Sequence, residues 1–335
     1  MTHKTYQLTP ITYWLFGCCF LVFAMIIVGA ITRLTESGLS IAEWKPLMGA
    51  IPPLNDQEWQ RVFDLYKQSP EFTKKNSWMQ IDDFKNIFFW EWLHRLLGRL
   101  IGLAYGLPLL WFWLRKQIPQ GYGLKLFGVF ILGGLQGAMG WYMVKSGLVD
   151  IPAVSHFRLA AHLMLALLIY ACMLWLGVSL RTQQIKNIST PKILKIHGLL
   201  ALLILIATIT WGAFTAGLDA GLIYNDSFPK MGGRWIPPEA YISILSNPAG
   251  VQFLHRWLAI GTFIMIISLW AHAYKRSALS PALNFAAIMV FIQAGLGIFT
   301  LFSGVSLPIA VLHQAGAVIL LSLLLLSLKA TYRVN

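Results

Sequence analysis

Charged side chains are scarce in this sequence. They make up 12% of its 335 residues, whereas 57% are hydrophobic. A soluble domain of this length needs more polar side chains to cover its surface, so the composition argues against that class and indicates an integral membrane protein. Apolar runs of the length that a bilayer requires, about 20 residues, predict eight transmembrane helices. They span residues 11–31, 87–114, 126–144, 159–180, 196–218, 251–274, 282–302 and 308–328.

Acidic residues are the rarer charge, with 13 Asp and Glu against 26 Lys and Arg. The basic residues collect after the second, fourth and sixth spans and near both ends of the chain, which predicts cytoplasmic loops and cytoplasmic termini there. The acidic residues fall in the opposite loops or helix ends. Membrane topology and contact with anionic lipid therefore account for the net charge of +13, and we expect no nucleic-acid partner.

Cysteine is nearly absent. Cys18, Cys19 and Cys172 all lie within predicted helices, so we expect neither a structural disulfide nor a thiol relay in the outer loops. The first span is too long for the apolar region of a signal peptide and lacks a small-residue cleavage site, which predicts a retained helix. No Arg- and Ser-rich leader precedes it, which favours a bacterial inner (plasma) membrane over an organelle.

An internal repeat relates residues 1–190 to residues 191–335. The matching motifs are Gly29-Ala30-Ile31-Thr32 with Gly212-Ala213-Phe214-Thr215, Leu93-His94-Arg95 with Leu254-His255-Arg256, Gln136 and Gly140 with Gln293 and Gly297, and His162 with His313. Four helices in each half is an even number, so both halves enter the membrane from the same side. The expected fold is an all-α membrane protein made of two parallel four-helix repeats, with a pseudo-twofold axis along the membrane normal.

A long outer loop, residues 33–86, follows the first span. Within it Asn55 precedes Glu58 by three residues, which is typical of a helix cap. Four apolar residues follow at helical spacing before Pro70: Trp59, Val62, Phe63 and Tyr66. These signals predict a short amphipathic helix that packs on the protein.

Four histidines fall within roughly the first two turns of the even-numbered spans, counted from the outer end: His94, His162, His255 and His313. This places them roughly 5–11 Å below the outer membrane boundary. Neutral imidazole binds iron well, and two imidazoles on facing helices can clamp a haem. The pattern predicts two haem sites near the outer, periplasmic face. No ligand role is assigned to the other histidines, His3, His156, His197 and His272.

Arg95 and Arg256 directly follow two of these histidines. A guanidinium inside a membrane is costly and needs a partner, which is usually anionic. Haem propionates are one candidate partner, and the phosphates of nearby lipids are the other.

The two halves differ beside the histidines. Glu91 lies three residues before His94, where the second half has Gln252 before His255. A buried carboxylate beside a metal ligand can move protons or stabilise a cationic intermediate. The first half is therefore predicted to be reactive and the second to relay electrons. An ion pair of Glu91 with Arg95 or Arg158 is the structural alternative, and it is compatible with catalysis.

The motifs around these residues resemble those of the haem A synthase family of alphaproteobacteria and mitochondria, over nearly the whole chain. They are the run Gly-Ala-Ile-Thr-Arg-Leu-Thr-Glu-Ser-Gly-Leu-Ser from Gly29, Glu91-Trp92-Leu93-His94-Arg95, Arg158-Leu159-Ala160-Ala161-His162-Leu163, and Leu312-His313-Gln314. The resemblance implies an eight-helix bundle that oxidises a ring methyl of haem O to a formyl group by successive hydroxylations, giving haem A for terminal oxidases.

The same resemblance implies how the site residues divide. His255 and His313 would hold a resident haem b, with Arg256 at a propionate. His94 and His162 would bracket the iron of the substrate haem O, with Arg95 and Arg158 contacting its propionates or lining its pocket and Glu91 catalytically important. The implied partners are haem O synthase and cytochrome oxidase assembly factors, and homo-oligomerisation stays open. The outer-loop cysteine pair of some bacterial relatives is missing here.

Other functions fit parts of the pattern. A dihaem b-type electron-transfer protein between quinone and a partner would use Glu91 as a proton exit or a structural pair. A transporter or haem-handling chaperone suits parallel repeats, but the polar residues cluster near the outer surface rather than at mid-membrane. A prenyltransferase that makes haem O would need paired aspartate-rich motifs, and Asp82-Asp83 stands alone.

Overall fold

The computed structural model describes residues 9–43, 48–147, 154–182 and 191–331. In these ranges the chain is helical, with no β-strand, which confirms the all-α prediction. The α-helices described are α1 (Pro10–Leu34), α2 (Asp56–Lys67), α3 (Ile81–Leu114), α4 (Gly123–Gly147), α5 (His156–Thr182), α6 (Lys192–Gly217), α7 (Pro248–Lys275), α8 (Pro281–Phe302) and α9 (Leu307–Thr331). Both chain ends, for which a cytoplasmic location is predicted, lie outside the described residues.

Eight of these helices, all except α2, are long and apolar enough to cross a membrane. This confirms the eight predicted spans. The largest difference is in α3, which begins at Ile81 rather than near residue 87 and contains 34 residues. At 1.5 Å per residue it is about 51 Å long, well beyond the thickness of a bilayer core. Its first turns carry Asp82, Asp83 and Lys85. These charges lower the local hydropathy, so the apolar pattern did not include the first turns.

The chain divides by its contacts into two compact units. The N-terminal unit comprises residues 20–166, and within it α3 packs against α2 and α4. The C-terminal unit comprises residues 1–19 and 167–335, and within it α6 and α8 each pack against both α7 and α9. Two of the four histidines fall in each unit. The division at residue 190 and the pseudo-twofold axis stay predictions.

The predicted amphipathic helix in the outer loop is confirmed as α2. Asn55 caps it, since its side-chain oxygen accepts the backbone N–H of Glu58 at 2.9 Å. The apolar face of α2 packs on the first turns of α3, and the buried residues of this cluster are Phe63, Tyr66, Phe84, Ile87 and Phe88. Glu91 is the next residue on the same face of α3. The packing of α2 therefore fixes the part of α3 that carries Glu91.

Candidate functional site

In the N-terminal unit His94 lies on α3 and His162 on α5. Each residue keeps part of its surface accessible. Both rings lie against a glycine of another helix. A Cβ atom on Gly29 would stand 3.6 Å from Cε1 of His94, and one on Gly140 would stand 3.1 Å from Cε1 of His162. A Cβ on Gly140 would press on the ring of His162, whereas the distance at Gly29 is that of an ordinary contact.

The C-terminal unit repeats this arrangement with His255 on α7 and His313 on α9. A Cβ atom on Gly212 or on Gly297 would stand 2.9 Å from Cε1 of its histidine, closer than packed atoms approach. Each of the four histidine rings therefore packs against a glycine that recurs in the sequence repeat. Sequence comparison of the halves found these glycines but not their role, because the helices that pair are distant along the chain.

Two glutamines of the repeat contact two of the histidines. Nε2 of Gln293 lies 2.9 Å from the carbonyl oxygen of His313 and 3.1 Å from its Nδ1. Nε2 of Gln136 lies 3.1 Å from the carbonyl oxygen of His162 and 3.3 Å from each of its two ring nitrogens. Each glutamine precedes by one helical turn the glycine under the same ring, Gly140 or Gly297, so the two residues share a helix face. We call each pair a glutamine-glycine seat.

The tautomer of His255 follows from its neighbour. Its Nδ1 lies 3.0 Å from the carbonyl oxygen of Thr208. A carbonyl oxygen can only accept, so Nδ1 carries the proton, and Nε2 keeps its lone pair. This is the arrangement in which a histidine binds a metal through Nε2 while a backbone carbonyl orients the ring.

Glu91 is the buried carboxylate of the N-terminal unit, only 2% exposed. One of its oxygens accepts hydrogen bonds from the hydroxyl of Ser40 and the backbone N–H of Ile41, both at 2.7 Å. The other pairs with Arg95 at 2.5 Å, as the structural alternative predicted. Arg95 also donates to the carbonyls of Ile41 and Glu43. Glu91 and Arg95 together therefore hold the start of the outer loop on α3, and we call them the first loop latch.

Gln252 and Arg256 form the second loop latch, at the same two positions relative to His255. Gln252 is 2% exposed, and its amide donates to the carbonyls of Ala220 and Ile223 at 2.8 and 2.7 Å. Arg256 donates to Oε1 of Gln252 and to three carbonyls of the same loop, those of Tyr224, Ser227 and Lys230. The loop that follows α6 is thereby fixed to α7.

The predicted anionic partners of the arginines are thus only partly found. Arg95 pairs with Glu91, and Arg95 and Arg256 both donate hydrogen bonds to loop carbonyls. Backbone carbonyls cannot be identified as partners from a sequence pattern. The guanidinium of Arg158 lies over the ring of Tyr142, 4.9 Å from its centroid. Propionate contacts for these arginines stay predictions.

The histidines without an assigned role lie elsewhere. The ring of His156 packs on that of Phe157, with centroids 4.0 Å apart. His197 and His272 pair through their Nδ1 atoms at 3.4 Å, near the opposite end of α7 from His255. His3 lies outside the described residues.

A second buried carboxyl group, Glu71, was not found from the sequence. It is 4% exposed and accepts the hydroxyl of Tyr66 at 3.1 Å, and Asn76 donates to that hydroxyl at 2.8 Å. Burial raises the pKa of Glu71 to about 7, and the charges of Glu91 and Glu36 act in the same direction, against the hydrogen bond from Tyr66 and the charge of Lys75. Glu71 lies in a polar stretch of sequence, so only the fold reveals its burial.

Comparison with known proteins identifies the family. The model of the COX15-CtaA family, described as Cytochrome oxidase assembly protein, matches residues 12–325. The chain belongs to this family. A Heme A synthase of Rhodospirillum centenum is 46% identical over 328 residues, which cover 95% of this chain and 87% of the relative. A Heme A synthase of Nitrosospira multiformis is 46% identical over 324 residues, covering 93% and 90%.

Family membership confirms the resemblance inferred from the motifs. A third relative, a Heme A synthase of Rhizobium rhizogenes, is 45% identical over 334 residues and is covered to 90% of its length. The likeness extends over both units rather than over one motif.

Proposed function

We propose that the chain is a haem A synthase, an oxidoreductase that converts a methyl group of haem O to a formyl group. Two hydroxylations of the methyl carbon, each taking its oxygen from water and releasing two electrons and two protons, give a geminal diol, which loses water to leave the formyl group. The observation that carries the proposal is the N-terminal site, where His94 and His162 each lie against a glycine of another helix and the buried carboxylate of Glu91 lies one helical turn before His94. The family and its named relatives support the same activity.

The C-terminal site fits a resident haem b. His255 presents a free Nε2 because Thr208 holds its Nδ1, and Gly212 and Gly297 leave space that a Cβ would fill. His255 and His313, on two helices of the same unit, would hold this haem through their imidazoles. Bound there, the haem would carry electrons away from the substrate. Gln252 and Arg256 keep the adjoining loop in place.

The N-terminal site fits the substrate haem O, with His94 and His162 on either side of its iron. Glu91 is placed to take up protons that the oxidation releases, since it is a buried carboxylate one turn from His94. Arg95 orients that carboxylate through the ion pair. Arg158, over Tyr142, is assigned to the wall of this pocket.

The cellular setting follows from the same proposal. We place the chain in a bacterial inner membrane with both termini cytoplasmic and the haem sites near the periplasmic face, because its basic residues collect in the loops assigned to the cytoplasm. Haem O synthase would supply the substrate and cytochrome oxidase assembly factors would receive the product. A homo-oligomer is compatible with this arrangement.

The test is to express the chain in a host that makes haem O but no haem A, and to analyse the haems extracted from membranes. We expect haem A and its hydroxylated intermediate. Variants His94→Ala and His255→Ala are compared in parallel by absorption spectroscopy. We expect His255→Ala to lose the resident haem b and His94→Ala to keep it. Intact wild-type protein without either product would refute the activity, and the opposite spectra would reverse the two sites.

A further inference from the structure

Glu71 is a buried acid that the proposed function does not use, although it lies in the same unit as Glu91. We propose that Glu71 is the second proton acceptor of the oxidation, which receives protons from Glu91 and passes them to solvent at the surface of the outer loop. This inference rests on the proposed function, because each hydroxylation from water releases two protons that must leave a buried site. In this role Glu71 acts through Glu91 rather than on the haem.

The first observation is where Glu71 lies. It follows α2 in the outer loop, and it accepts the hydroxyl of Tyr66 at 3.1 Å. Tyr66 is fully buried, and its ring stacks on that of Phe84 of α3, with centroids 5.1 Å apart. Phe84 precedes Glu91 by two helical turns on the same face of α3, about 10 Å along the helix. The carboxyl group of Glu71 is thereby fixed on the side of α3 that carries Glu91.

The second observation is the set of charges that act on Glu71. Glu91 acts on it from α3, and Glu36 and Lys75 act on it from the loop. Lys75 and Glu36 form an ion pair at 3.3 Å, and their side chains are 42% and 45% exposed. Glu71 therefore interacts both with the buried carboxylate and with an ion pair at the surface, as an intermediate proton carrier must.

The third observation is a contrast between the two carboxyl groups. Glu91 accepts two hydrogen bonds from its loop and pairs with Arg95, which stabilises its carboxylate. Among the described residues, the hydroxyl of Tyr66 is the single hydrogen-bond donor to Glu71, and Asn76 holds that hydroxyl from its other side at 2.8 Å. Burial raises the pKa of Glu71 to about 7. Near neutral pH this group can therefore both take up and give up a proton.

The proposed transfer has two steps. In the first, a proton leaves the protonated carboxyl group of Glu91, crosses bridging water and binds the carboxylate of Glu71. This restores the carboxylate of Glu91 for the next proton. In the second, Glu71 releases the proton to water at the loop surface and becomes a carboxylate again. No electron moves in either step.

The first test is the pH profile of haem A formation, measured in membranes supplied with haem O. In the wild type, formation should rise about tenfold from pH 6 to pH 8, because the ionised fraction of an acid with a pKa of about 7 grows from about one tenth to about nine tenths. Glu71→Gln should lower formation at pH 8 and remove this rise. Glu71→Asp keeps the carboxyl group and should keep the rise. Loss of a buried carboxylate should stabilise the loop at pH 8, so unfolding does not account for the effect of Glu71→Gln.

The second test does not depend on haem A formation. Infrared spectra of the purified full-length protein, recorded at increasing pH, show the carbonyl stretch of protonated carboxyl groups, and subtraction of the Glu71→Gln spectra isolates Glu71. Glu91→Gln removes a charge that raises the pKa of Glu71 and should lower that pKa. Tyr66→Phe removes a hydrogen bond that lowers it and should raise it. Asp64→Asn, on the exposed side of α2, should leave it unchanged.

A pH profile of haem A formation that is the same in Glu71→Gln and wild type would overturn the proposal. A Glu71 band that does not respond to Glu91→Gln would also overturn it. Wild-type protein that forms no haem A would refute the proposed function and with it the role of Glu71, while the infrared titration would still report whether the two carboxyl groups are coupled. The two failures are therefore distinguishable.

Discussion

The two loop latches occupy the same positions on α3 and α7 but bind their loops with opposite chemistry. Glu91 accepts a hydroxyl and a backbone N–H from its loop, whereas Gln252 donates to two backbone carbonyls. Each of the two loops therefore presents the hydrogen-bonding group that its own latch requires. The two units place their latches at the same helix positions, but only the first latch contains a carboxylate, which can bind or release a proton.

This difference predicts that Glu91→Gln has the largest effect on activity. The amide keeps the size of the side chain but cannot exchange protons, and it removes the ion pair with Arg95. We expect haem A formation to fall by about 10²–10⁴-fold, the usual contribution of a positioned acid or base. The measurement is haem A plus its hydroxylated intermediate per mole of purified protein, with the resident haem spectrum unchanged. A variant that keeps half of the wild-type yield would limit Glu91 to holding the loop.

The matched control is the reverse exchange, Gln252→Glu. It places a carboxylate against the carbonyls of Ala220 and Ile223 and removes both donors. Stability should fall by about 1–3 kcal/mol, the cost of buried acceptors left unpaired, and resident haem should be lost on heating. If both exchanges gave the same phenotype, the latches would be equivalent and the comparison would fail.

The outer loop of the N-terminal unit should also respond to pH through Glu71. Its folded pKa of about 7 lies above the usual 4.5, so the folded protein holds this proton more tightly than the unfolded chain. Its contribution is complete below pH 4.5 and is lost as the pH rises to 7, by up to about 3 kcal/mol. Glu71→Gln should therefore raise the melting temperature at pH 8 and reduce its difference from pH 5.

A control for this prediction is Asp64→Asn, on the exposed side of α2. Asp64 pairs with Lys67 at the surface and should leave the pH profile nearly unchanged. An unchanged profile in Glu71→Gln would mean that this carboxyl group is ionised in the folded protein across the range.

The sequence predicted the features that depend on local pattern. Hydropathy located all eight spans, and the Asn55 cap with its apolar spacing located α2. The sequence could not predict the loop partners of Arg95 and Arg256. Backbone carbonyls are present at every position, and only the folded structure determines which of them point toward the arginines. The burial of Glu71 could not be predicted either, because this burial depends on how α2 packs on α3 rather than on the residues next to Glu71 in the sequence.

The smallest expected difference between the units lies in the glycines under the rings. A Cβ on Gly212 would come within 2.9 Å of His255, whose ring Thr208 holds in place, whereas a Cβ on Gly29 would stand 3.6 Å from His94, an ordinary contact distance. Overpacking of this kind costs about 1–3 kcal/mol, so Gly212→Ala should weaken resident haem binding about tenfold. Gly29→Ala should change haem A formation less than threefold.

Haem content after dialysis against apomyoglobin measures the effect of Gly212→Ala, and extracted haem A measures the effect of Gly29→Ala. Because alanine favours helices over glycine, a loss of haem without a loss of protein stability would assign the effect to the ring. Equal tolerance in both units would show that the C-terminal site is no tighter than the substrate site.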